Sequence, residues 1–219
     1  MTAETLLSTT ILPLRTSDTG EDALAMMNDF LVRHLPVVNN EQLLGLVSEE
    51  DILNADVEEA VGSYSLSLPA TSVQLTDHIY EVMRLLADYQ LTVIPVVDVD
   101  GNYAGLITLE DLLRYFATSS SFQDPGSIVV LEMGRHDYSL VTIARIVESE
   151  NAAILSSFIT SFGESTRIDV TIKINRMQIG GILAGFERFN LHVKASFNEQ
   201  VYFDTLKERY DSLINYLNV

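Results

Sequence analysis

His34-Leu35-Pro36-Val37-Val38 is followed by Gly45-Leu46-Val47-Ser48-Glu49-Glu50-Asp51-Ile52-Leu53. The same pair of blocks returns once. It reads Val93-Ile94-Pro95-Val96-Val97 and then Gly105-Leu106-Ile107-Thr108-Leu109-Glu110-Asp111-Leu112-Leu113. The first block recurs at an offset of 59 residues and the second at 60. The added residue falls in Asp98-Val99-Asp100-Gly101-Asn102, which has the composition of a hairpin turn. Upstream, Asp18 matches Asp77, again at 59. Three blocks in one order, with the slip confined to a turn, mark an internal duplication.

Each copy reads as the same unit. An extended piece, Ile11 to Arg15 or Thr71 to Leu75, precedes a helix. Ala23, Met26, Met27 and Phe30 recur at helical spacing in the first copy, and Ile79, Val82, Met83 and Leu86 in the second. Two apolar strands follow, joined by the turn. Their prolines predict a strand start or an edge, because proline cannot donate to a ladder. A second helix opens at Ser48 or Thr108. The unit is β-α-β-β-α and about 50 residues long, too small for a comfortable core, so two copies should pack together around a ligand-sized cleft.

This arrangement resembles a tandem pair of cystathionine-β-synthase (CBS) domains, modules that sense adenosine-containing ligands. The signature Gly-hydrophobic-hydrophobic-Ser/Thr-x-x-Asp stands in both copies, and the resemblance covers residues 1–120. It implies that Asp51 and Asp111 hold a ribose and that Ser48 and Thr108 lie near a phosphate. It also implies that Leu35-Pro36 and Ile94-Pro95, with the first strand, enclose the base. His34, beside Arg33, sits where a phosphate would lie in the first copy. The matching positions in the second are Thr92 and Val93, so the two sites should differ in their appetite for an anion. The same Ser/Thr-x-x-Asp residues also read as helix caps without any ligand, the hydroxyl taking the N3 amide. The two roles are compatible at one helix start.

The chain has 219 residues, with 31 acidic against 13 basic, for a net charge of −18. Residues 1–120 hold 19 acids and 4 bases, and residues 121–219 hold 12 and 9. That balance argues against nucleic acid and anionic membrane surfaces as partners. It favours AMP, adenosine or an S-adenosylmethionine type of ligand over ATP. Zero cysteines exclude disulfides and thiolate chemistry. Met1 to Ser8 lacks the pattern of a secretory signal, and no apolar run approaches the roughly 20 residues of a membrane span. A cytoplasmic location is expected.

Ser119 to Ser127, rich in Ser, Pro and Gly, reads as a linker. Beyond it, Ile128 to Leu131 reads as a strand, and Leu140, Ile143, Ala144 and Val147 as a helix. Ala152 to Phe162 and the alternating Ile168, Val170, Ile172 and Ile174 read as strands. Met177, Ile179, Ile182, Leu183 and Phe186 predict a helix weakened by Gly180, Gly181 and Gly185. Leu191, Val193, Ala195 and Phe197 alternate again. This β-α-β-β-α-β order is ferredoxin-like. Placed after a CBS pair, it resembles an ACT domain, a small-molecule regulatory module. Leu140 stands where that family's turn after the first strand, here with Asp137, carries Gly. The CBS–CBS–ACT order resembles the acetoin-utilisation regulatory proteins of bacteria.

The expected class is therefore α+β. The expected divisions are a first repeat at 1–61, a second at 62–120, a linker at 121–127, the ACT-like part at 128–197 and a C-terminal helix at 198–219. Phe203, Leu206, Tyr210, Leu213 and Leu217 carry that last helix by their spacing. No catalytic motif is present, and the four histidines are scattered. The expected function is that of a non-catalytic regulatory sensor, a homodimer needing no cofactor beyond its ligand. Two alternatives are an interaction scaffold that holds a basic protein through its acidic half, and a sensor of divalent cations through Glu49, Glu50, Asp51, Asp56, Glu58 and Glu59.

Overall fold

The computed structural model describes residues 1–8, 10–66, 68, 71–161 and 165–198. The expected C-terminal helix lies outside them, apart from Asn198. Two compact units divide at residues 117 and 118.

The first unit holds both repeats. Repeat one runs β1 (Leu14–Arg15), α1 (Gly20–Asp29), β2 (His34–Asn39), β3 (Gln42–Ser48) and α2 (Glu49–Leu53). Repeat two runs β4 (Val73–Gln74), α3 (Ile79–Asp88), β5 (Val93–Val97), β6 (Tyr103–Thr108) and α4 (Leu109–Thr118). Each makes a three-stranded sheet, β1-β2-β3 or β4-β5-β6, with a parallel first pair and an antiparallel second pair. The first strands are shorter than the expected 11–15 and 71–75. In repeat one, Pro13 brings no amide donor.

The prolines depart from expectation. Pro36 and Pro95 are the third residues of β2 and β5, the central strands of their sheets. The short neighbours explain the tolerance. β1 pairs only with Val37 and Val38, and β4 only with Val96 and Val97, so neither neighbour reaches the proline. The slip between the copies lies in the hairpin turn. Asn39 pairs with Gln42 in the first, whereas Val97 pairs with Tyr103 in the second. Gly101 supplies φ +85 there, and the Asp98 carboxylate accepts from the amides of Asp100 and Asn102.

One core serves both repeats. Leu14, Leu35, Leu46 and Ile52 of the first and Ile94, Leu106 and Ile107 of the second belong to a single buried cluster. β2 packs against β5 inside it. The N-terminal segment also crosses between repeats. The amides of Ala3, Glu4 and Ser8 donate to the carbonyls of Asp77, Leu75 and Leu106, so residues 3–8 lie along repeat two. Tyr103 contributes a buried hydroxyl with no hydrogen-bond partner among the described residues. Desolvation holds its ionisation far above the usual tyrosine range. Removing an unsatisfied buried hydroxyl is favourable, so Tyr103→Phe is expected to raise stability by about 1 kcal/mol, read from urea melts.

The second unit follows β7 (Ser127–Gly134), α6 (Leu140–Ser149), β8 (Ile154–Thr160), β9 (Arg167–Ile174), α7 (Gly180–Arg188) and β10 (His192–Asn198). Its antiparallel sheet has the order β10-β7-β9-β8. Val129, Leu131, Ile172, Ile143, Val147 and Phe186 form its core between the sheet and the two helices. Met177 and Ile179 fall before α7, which starts at Gly180 with no side-chain cap. Part of the expected linker is structured. Ser120–Gln123 form the short helix α5, Ser121 Oγ donates to the Leu155 carbonyl at 3.0 Å, and Lys173 Nζ donates to the Phe122 carbonyl at 3.0 Å. Gly126 is required by crowding, because a Cβ there would sit 2.1 Å from the Ile174 carbonyl oxygen.

Candidate functional site

The two signature motifs open α2 and α4, and both fold as helix starts. In repeat one the Ser48 hydroxyl accepts from the Asp51 amide at 3.0 Å, and the Asp51 carboxylate accepts from the Ser48 amide at 2.9 Å. That reciprocal pair is a complete capping box. In repeat two the Thr108 hydroxyl accepts from the Asp111 amide at 2.9 Å and donates to Asp111 Oδ2 at 2.7 Å. Arg114, one turn on, lies 3.6 Å from Asp111 Oδ1 and also pairs with Glu110. Asn54 occupies the corresponding place in repeat one.

A cavity of about 500 Å³ opens at the second motif. Thr92, Thr108, Asp111 and Arg114 form its repeat-two wall. The opposite wall comes from repeat one. Ser8, Thr10 and Ile11 arrive on the segment that crosses to repeat two, and Phe30, Leu31 and Val32 arrive on the link from α1 to β2. That link is a helix reversal. Leu31 takes φ +54, and the Val32 amide donates back to the Met27 carbonyl. The turn leaves Leu31 85% exposed at the rim while Val32 stays buried. Hydroxyls therefore line one part of the cavity, apolar side chains another, and two carboxylates face one guanidinium. Such a lining suits a flat, mostly neutral molecule with vicinal hydroxyls, because a carboxylate accepts both.

The other sequence-predicted residues sit elsewhere. Leu35 and Ile94 are fully buried in the shared core, and Pro36 and Pro95 are buried in their strands, so none of the four lines the cavity. The reason is side-chain alternation: β2 and β5 are covered on both faces, one by their own repeat and one by the other. His34 is also absent from the lining. Its Nδ1 lies 3.0 Å from Thr92 Oγ1 and accepts the Thr92 amide at 3.1 Å. Arg33 and His34, on which the expected anion preference of the first copy rests, are not part of this lining, where the base is Arg114. The residues 67–70 that match 8–11 in repeat two are described only at 68.

Sequence reasoning missed Ser8, Thr10, Phe30, Leu31, Val32 and Arg114. The duplication offered a signal for Arg114, as a base three residues after the signature Asp. Nothing local marked the others, which arrive by tertiary crossing. A second depression, about 520 Å³, lies at Leu12 to Ser17 and Val38 to Asn40 and contains none of the signature residues. Among the described residues, no cluster of three or more His, Asp or Glu side chains is placed to hold a metal ion. No described helix is long and apolar enough to cross a membrane.

Comparison with known proteins agrees with the duplication. The CBS domain model matches residues 3–58 and again 61–118. A magnesium transporter MgtE of Thermus thermophilus is 36% identical over 72 residues, 33% of this chain and 16% of the relative. An inosine-5'-monophosphate dehydrogenase of Aquifex aeolicus is 25% identical over 163 residues, 70% of this chain and 32% of the relative. The chain thus spans a third or less of these curated relatives. Among solved structures, a CBS domain pair/ACT domain protein from Thermotoga maritima is 25% identical with a TM-score of 0.48. That match covers 53% of this chain and 96% of the other. CBSX2 in complex with AMP is 25% identical with a TM-score of 0.45, covering 52% and 95%.

Proposed function

We propose, because this chain belongs to the CBS domain family, that it is a regulatory sensor whose repeat pair binds an adenosine-containing ligand in the cavity at Thr108 and Asp111. CBS pairs are regulatory modules that bind adenosine ligands. The observation that carries the assignment to this cavity is its composite wall. Both repeats contribute to it, so a ligand seated there changes how the repeats pack. Asp111 takes the ribose hydroxyls, Thr108 and Arg114 lie toward the phosphate end, and Ile11, Val32 and Phe30 enclose the base. Glu110 and Asp111 outnumber Arg114, which favours AMP, adenosine or S-adenosylmethionine over ATP.

The second unit supplies the output. Its β-α-β-β-α-β order and β10-β7-β9-β8 sheet support an ACT-like regulatory role, exercised through a homodimer or a downstream target. Coupling requires the ligand to bind the two arrangements with different affinity.

Thermal shift with AMP, adenosine, S-adenosylmethionine and ATP tests the sensor. A ligand at 100 times its Kd stabilises the folded state by about 2.7 kcal/mol. AMP or adenosine is expected to raise the melting temperature by several degrees, and ATP by less. No shift with any of the four at millimolar concentration rejects the reading.

A further inference from the structure

We infer that His34 of the first repeat holds the second repeat's cavity in its binding shape and releases it when the imidazole gains a proton, making occupancy of the cavity pH-dependent. The inference rests on the reading of that cavity as the ligand site.

Thr92 is the residue through which His34 acts. It lines the cavity beside Thr108 and Leu109. Each of its polar groups is engaged. Its carbonyl accepts the Leu109 amide at 2.9 Å, which fixes the first residue of α4. Its hydroxyl accepts the Arg33 amide at 2.9 Å. That leaves the hydroxyl proton for His34 Nδ1, 3.0 Å away. Its own amide donates to the same Nδ1 at 3.1 Å. A backbone amide is always a donor, so Nδ1 must carry a lone pair and the neutral ring's proton sits on Nε2.

Protonation removes that acceptor. The new Nδ1 proton would face the Thr92 N–H, and the amide cannot turn away from it. Thr92 then keeps only the Arg33 amide as its tie to repeat one, and its backbone, which places the cavity wall and the α4 start, is held less firmly. The device works in one direction only. Arg33 is the counterpart of Thr92, and its carbonyl likewise accepts the Glu49 amide. The counterpart of His34, however, is Val93, which offers no ring nitrogen.

The surroundings set the sign. Burial resists the charged ring most, the neighbouring Arg33 resists it further, and Asp51 on α2 favours it. The net effect holds the His34 pKa below its ordinary 6.5. A ring kept neutral by folding contributes its stability in full above that ordinary value. The contribution is lost as pH falls through the lower folded value. The junction is therefore closed at neutral pH and opens on acidification.

The test uses the full chain and adenosine, which has no phosphate to titrate alongside the ring. In the wild type, adenosine affinity is expected to fall at least twofold between about pH 7.5 and about pH 5. In His34→Asn, where Oδ1 takes the place of Nδ1 without titrating, affinity at the higher pH should stay within about threefold and the fall should disappear. An equal pH slope in both proteins overturns the inference. Failure of adenosine to bind at any pH rejects the ligand site instead. The junction is then judged by NMR of the wild type alone. A Thr92 amide signal that moves with the His34 ring titration supports it, and a Thr92 amide that ignores that titration overturns it.

Discussion

Asp111→Ala is expected to weaken binding of AMP or adenosine at least tenfold, while Asp51→Ala leaves the affinity of the same cavity within about twofold. The magnitude follows from a charge-assisted hydrogen bond, worth about 1.5–3 kcal/mol when the ligand keeps its half, or roughly 10–150-fold in Kd. The two aspartates are equivalent in sequence and differ in surroundings. Asp51 closes a capping box and is not part of the cavity wall. Asp111 accepts from Thr108, leans toward Arg114 and lines the cavity. Both substitutions remove an acid from a helix start, at about 1 kcal/mol of stability each. That shared cost makes Asp51→Ala a control for folding. Calorimetric titration on both variants, with Asp111→Asn as a shape-preserving third, decides the matter. Equal loss from Asp51→Ala and Asp111→Ala rejects the assignment of the cavity.

The second large effect concerns cooperativity. Leu106→Ala should destabilise the first unit by about 2–5 kcal/mol, the usual cost of a cavity at a fully buried leucine. Leu106 belongs to a core that both repeats share, and its carbonyl also receives the Ser8 amide from the N-terminal segment. The loss should therefore reach repeat one. Native-state hydrogen exchange is expected to show β2 and β3 amides losing protection by the same factor as β5 and β6. Protection retained in β2 and β3 would mean that the repeats fold independently, contrary to the single core.

Much of this was legible in the chain. The doubled block around Pro36 and Pro95 identified the β-α-β-β-α unit, because two apolar strands and a capped helix are local patterns. The alternation from Ile168 to Ile174 identified a half-buried strand for the same reason. What local pattern left open has a common cause. Leu35 and Ile94 read as apolar residues beside a ligand and are fully buried in the shared core, because burial depends on what covers a strand's second face, and here that cover is the other repeat. Pro36 looks like an edge residue, yet its strand is central beside a neighbour only two residues long.

Sequence alone determined that the chain is a duplicated α+β module followed by a second α+β part. It also placed a Ser/Thr-x-x-Asp helix start in each copy, with the acidic excess concentrated on the pair. These are consequences of spacing and composition, which act over a few residues. Tertiary structure decided that the second motif opens into a cavity, that Ser8, Thr10 and Ile11 come from the first repeat to build its far wall, and that Arg114 rather than His34 supplies the cation there. It also decided that His34 reaches Thr92, 58 residues away. Those features depend on how one repeat is laid against the other, and no local pattern encodes that placement.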